Sequence, residues 1–158
     1  MCVYKGLYKT LLIRGRVNSH IDPDKEMIDT IECVSYGLGV CFNKAVMQPI
    51  QNKHYKPLGG LWGSPTDSED SWKSFVISEE TSKSLKSSFT WTFKGKLLVI
   101  QDNEEWEELI LKYPHKSNSD FIDWEAIACH YDGAFVFSDV EYFDCDSILV
   151  FKSECVFI

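Results

Sequence analysis

"SSFTWTFKGKLLVIQDNEEWEELILKY", residues 87 to 113, changes its hydrophobic period halfway along, and that change sets the fold class. Phe89, Trp91 and Phe93 alternate with Thr90, Thr92 and Lys94, which places three rings on one face of a strand. The apolar run "LLVI" extends the strand region. In "NEEWEELILKY" the spacing becomes helical: Trp106, Leu109, Ile110 and Tyr113 share one face, and Asn103 is the expected cap. A strand region feeding an amphipathic helix points to α+β.

Working outward gives the same class. "VYKGLYKTLLIRGRV" (3–17) reads as a strand or hairpin arm closed by the turn-like "NSHIDPDKE". "IDTIECVSYGLGVCF" (28–42) reads as a strand broken by Gly37 and Gly39. "LWGSP" ends a further strand, and "TDSED" is a helix start for 68–80, with Trp72, Phe75 and Val76 inward. Downstream, "FIDWEAIACHY" (121–131) reads as a second helix, "DGAFVF" as a turn and strand, and "CDSILVFKSECVFI" as one or two closing strands. No G-x-G-x-x-G or P-loop follows a strand, which disfavours a doubly wound nucleotide fold. Short, mainly antiparallel strands with a few helices in one domain over 1–158 are expected.

Composition narrows the function classes. With 44% hydrophobic and 14% aromatic residues the chain has material for a core. Its 24 acidic against 16 basic side chains give net −8, which disfavours a sequence-independent nucleic-acid binder. No stretch reaches the ~18 apolar residues of a membrane span. The opening residues lack a secretory leader's apolar run and cleavage site, so a cytoplasmic protein with six free thiols is expected. There is no Cys-x-x-Cys and no tight Cys/His cluster, so no metal is expected.

"HYKPLGGLWGSPTDSEDSWKSF" (54–75) concentrates backbone freedom beside aromatic surface. Gly59 and Gly60 permit a sharp turn or a close approach. Trp62 and Trp72 offer flat apolar faces, each with one donor at its edge. The combination suits a cleft for a flat, polar-edged ligand, and it equally suits a turn packed under tryptophan.

Five segments in order, "SYGLGVCF", "KPLGGLWGSP", "SWKSF", "DWEAIACHYDG" and "FDCDSILVF", resemble small bacterial and phage proteins of the ADP-ribosyltransferase-like type, over residues 33 to 158. The resemblance implies two small, mainly antiparallel sheets around a cleft that holds NAD as substrate. It implies transfer of ADP-ribose to a protein, nucleic-acid or small-molecule acceptor. It also implies a bacterial or phage effector acting on a host or defence component, in the host cytoplasm if phage-encoded.

Carried over by position, the first element falls on Ser35, Tyr36 and Gly37, where the pattern has His or Arg near Ser35. The second falls on Gly60, Leu61, Trp62 and Ser64, with Trp72 on the following helix. The third, a Glu in the pattern, falls on Asp144 and Asp146, of which Asp146 is the expected catalytic carboxylate. These two aspartates read equally as a polar turn at a strand start. The alternative function is an acidic binding or inhibitor protein on the same fold without catalysis.

Overall fold

The computed structural model describes residues 29–78 and 85–158; the expected strand at 3–17, the turn at 18–26, Cys2 and the helix end at 79–80 lie outside them. In chain order the elements are β1 (Asp29–Tyr36), β2 (Leu61–Pro65), α1 (Trp72–Ser78), β3 (Ser88–Gly95), β4 (Leu97–Ile100), α2 (Asn103–Lys112), α3 (Trp124–Ala128), β5 (Gly133–Val136), β6 (Ser147–Val150) and β7 (Val156–Phe157). The fold is α+β. No helix among the described residues is long and apolar enough to cross a membrane.

The seven strands of the described residues belong to one mixed sheet in the order β4-β5-β6-β2-β1-β3-β7. Only β4 and β5 are parallel. Parallel neighbours need a long crossover, and residues 101–132 supply one that carries α2 and α3. In place of two small sheets, two groups of strands are fused along the β1–β2 seam. The seam is short, with Cys33 opposite Pro65 and Val34 opposite Ser64. Two further bonds reinforce it. Ser35 Oγ donates to the Trp62 carbonyl at 2.6 Å, and the Thr66 N–H donates to the Glu32 carbonyl at 3.0 Å. Fusion pairs the edges that two separate sheets would leave open.

Period-two alternation sorts the side chains onto two faces. Ile31, Cys33, Leu61, Phe89, Trp91, Phe93, Leu97, Val99, Phe135, Ile148, Val150 and Val156 form one core. Only Lys96 separates β3 from β4, although these strands lie near opposite ends of the sheet, so the sheet rolls around this core. On the outer face Leu98, Ile100, Ala134, Val136 and Leu149 meet Trp106, Trp124 and Ile127 of α2 and α3 in a second core.

The corner at Lys96 is pinned by Asp132. The Lys96 N–H donates to Asp132 Oδ2 at 2.8 Å, the Asp132 N–H donates back to the Lys96 carbonyl at 2.8 Å, and Lys152 Nζ donates to Asp132 Oδ1 at 2.6 Å. Burial pushes the Asp132 carboxyl up, but the Lys152 ammonium and the Lys96 N–H outweigh it and hold the group below the ordinary carboxylate range.

The helix expected from 68 begins at Trp72, and two further helix boundaries differ from expectation. Asp102 caps α2, accepting from the Glu105 N–H at 2.9 Å, while Asn103 Oδ1 accepts from the Glu141 N–H at 2.8 Å. The helix expected over 121–131 is confined to Trp124–Ala128. It starts late because Asp123 caps it, accepting from the Ala126 N–H at 3.0 Å, and Ile122 pairs with Pro114 as a β-bridge. Cap chemistry overrides helical spacing at both places.

Candidate functional site

Among the described residues, no crossover helix covers the outer face over the β1–β2 seam. Val34 and Tyr36 of β1, with Trp62 and Ser64 of β2, have the parity opposite to the first core, and all four line a cavity of about 400 Å³. A volume of this size lies within the roughly 300–1,000 Å³ of small-molecule sites. Trp72, the first residue of α1, lines one side, and Asp144, Cys145 and Ser147 line another. Leu38, Lys56, Gly60 and Gly63 complete the lining.

The glycines explain why the tryptophans lie so close to bare backbone. Gly60 has φ +67°, and a Cβ there would lie 2.5 Å from the Val150 carbonyl oxygen and 2.7 Å from Leu149 Cδ1. Gly63 is not in the left-handed region, but a Cβ would lie 2.8 Å from the Trp91 ring. Gly63 therefore lets Trp91 pack beneath the cleft floor. Trp91 Nε1 donates to Ser35 Oγ at 2.9 Å, and that hydroxyl donates to the Trp62 carbonyl, so the core side of Ser35 props up the floor.

Of the residues expected at the site, Tyr36, Gly60, Trp62, Ser64, Trp72 and Asp144 meet at this cavity. Four others lie elsewhere. Ser35 is 1% exposed beneath the floor, and Leu61 belongs to the first core. Gly37 has φ 76° and donates its N–H to the Ser87 carbonyl at 2.9 Å. Asp146 is 2% exposed, and its carboxylate accepts from the Ser138 N–H and from Ser68 Oγ, each at 2.9 Å. Its own N–H donates to the Asp70 carbonyl at 2.7 Å, so Asp146 ties the start of β6 to the 66–71 turn. Trp72, expected to point inward, is 38% exposed, while Val76 of the same helix is buried. Ser64 Oγ accepts from the Trp72 N–H at 2.9 Å and fixes where the helix begins.

The polar equipment of the cleft is sparse. Lys56 is the one cation and Asp144 the one carboxylate among its described lining residues. Lys56 Nζ sits 4.7 Å above the Phe143 ring, which holds the ammonium beside the 143–147 loop. Burial pushes the Cys145 thiol up, and the Ser147 hydroxyl and Lys56 offset this only in part. A protonated buried thiol is a poor nucleophile, so Cys145 serves as wall. Aromatic faces, hydroxyls, one cation and one anion suit a flat ligand with polar edges and a charged tail. Among the described residues no group of three His, Cys, Asp or Glu side chains is placed to hold a metal ion.

Lys56 and Ser147 were missed by sequence reasoning although both lie in segments already singled out. Strand parity was the usable signal for Ser147, since it shares the outward set with Leu149 of β6 while Ile148 and Val150 face the first core. Leu38 carried no such signal, because it follows the strand at a glycine. Comparison with family models, with curated proteins and with solved structures finds no match to this chain.

Proposed function

We propose that this cleft binds NAD and that the chain is an NAD-dependent mono-ADP-ribosyltransferase-like protein on an ADP-ribosyltransferase-like fold. The observation that carries the reading is the meeting of Tyr36, Trp62 and Trp72 with Asp144 at one cavity over the seam between two strand groups. The nicotinamide ring stacks among the aromatic side chains, and Lys56 meets the diphosphate. In the reaction the bond between the nicotinamide nitrogen and the ribose C1′ breaks, and its electron pair leaves with nicotinamide. Positive charge develops on the ribose, and a carboxylate beside it lowers the barrier. The acceptor's nucleophile then bonds to C1′ and loses its proton to solvent. Asp144 is the carboxylate in this reading, because Asp146 has both oxygens engaged below the surface. The acceptor is a protein or nucleic acid, or water when neither is present. The resemblance alone supports a bacterial or phage effector.

The test is release of nicotinamide from NAD by the full chain. Asp144→Asn should lower turnover about 10²-fold, the scale of losing one electrostatic stabiliser. Equal turnover by parent and variant overturns the assignment of Asp144.

One observation favours a second reading, an acidic binding protein without catalysis. Among the described residues lining the cavity there is no imidazole, and the Ser35 hydroxyl is committed to Trp91 and Trp62. Binding of NAD with no nicotinamide release selects this second reading.

A further inference from the structure

A second cavity, of about 430 Å³, lies across the Gly59–Gly60 turn from the first. Phe42, Val46, Met47 and Leu58 give it apolar walls, and Gln48 and Gln51 supply amides. Phe42 is fixed by stacking on Phe89, with ring centroids 5.6 Å apart and planes 9° from parallel. Leu38 and Gly60 line both cavities, so the two adjoin at these residues.

The divide at Gly60 is bare backbone, where a Cβ would run into the Val150 carbonyl and the side chains of Leu149 and Ile50. That packing and the φ of +67° require glycine here, and at this residue only main chain stands where the two cavities adjoin. The only cation among the described residues lining either cavity, Lys56, belongs to the first.

We infer that the two cavities form one bipartite site for a single dinucleotide. One head lies in the cleft against Trp62 and Trp72. The second base lies against Phe42, Val46 and Met47, and the diphosphate tether crosses at Leu38 and Gly60. Glutamine amides both donate and accept, which fits the edge of a heterocyclic base. The inference rests on the reading of the first cavity as an NAD site, and it adds where the other half of the ligand goes.

The experiment compares affinities of NAD and nicotinamide mononucleotide for the full chain by calorimetric titration. Two variants, Val46→Glu and Leu58→Glu, are measured alongside; both parent residues are exposed at the rim of the second cavity, so the fold should tolerate the change. NAD should bind about tenfold or more tightly than the mononucleotide, the scale of one stacked base. In each variant that ratio should fall towards one. Equal affinities in the parent overturn the bipartite site while leaving the first cavity's assignment intact. A ratio that survives both variants places the second base elsewhere and also overturns it. Failure of both ligands to bind removes this inference together with the reading beneath it.

Discussion

Among the described residues, the outer face of the sheet is covered over β4, β5 and β6 and left open over β2 and β1. The difference follows from connectivity. Parallel pairing of β4 with β5 demands a crossover, and its helices bring Trp106, Trp124 and Ile127 down onto that half. The antiparallel pairing of β1 with β2 and β3 makes no such demand. The loops around it leave Tyr36, Trp62 and Trp72 at a cavity. Similar aromatic residues thus fill the core of one half and line a cavity on the other.

The sharpest way to break this contrast is to truncate one tryptophan on each side. Trp124 is fully buried, and Trp124→Ala should cost about 3–5 kcal/mol in urea unfolding. Trp72 is partly exposed, and Trp72→Ala should cost about 1 kcal/mol or less. Equal losses would mean that the cleft wall is ordinary core.

A smaller effect separates the two aspartates of the 143–147 loop. Asp146→Asn weakens two charge-assisted hydrogen bonds that join β6 to the turns at Ser68 and Ser138, and it should cost about 2–3 kcal/mol. Asp144→Asn, at an exposed cleft position, should change stability by less than about 0.5 kcal/mol. Thermal unfolding of both variants at pH 7 checks the pair, and a reversed order would undo the roles assigned to them.

The smallest effect concerns the Lys96 corner and depends on pH. The Asp132 carboxyl lies below its ordinary 3.8 in the folded chain. Its contribution is therefore complete above about pH 4 and is lost as pH falls through the lower folded value. Asp132→Asn should cost about 1 kcal/mol at pH 7, discounted for the partial exposure of the Lys152 pair, and flatten the acid limb of stability between about pH 5 and 2. An unchanged acid limb in the variant would move the pH dependence to other carboxyls, with Asp123 next, since Asn52 and the Ala126 N–H hold it low against burial.

Much of the fold was legible because alternation is local. Phe89, Trp91 and Phe93 announced the strand, and Trp106 and Leu109 announced the helix. The single sheet was not legible, because it depends on the two-position seam at Cys33–Pro65 and Val34–Ser64, which no local pattern encodes. At the site, parity would have separated more than it was used for. Ser35 shares the parity of Ile31 and Cys33, and Asp146 that of Ile148 and Val150, so both run with the first core. Tyr36, Trp62, Ser64 and Ser147 have the other parity and line the cavity. The contribution of Lys56 came only with the loop that brings it beside Phe143.

Calorimetric titration of NAD into the full chain and into Trp72→Ala tests most directly whether the open half of the sheet is a ligand site. The parent should bind one NAD per chain, and the variant should bind at least about tenfold more weakly while unfolding at a similar urea concentration. No binding by the parent, or equal binding by a folded Trp72→Ala, would contradict it.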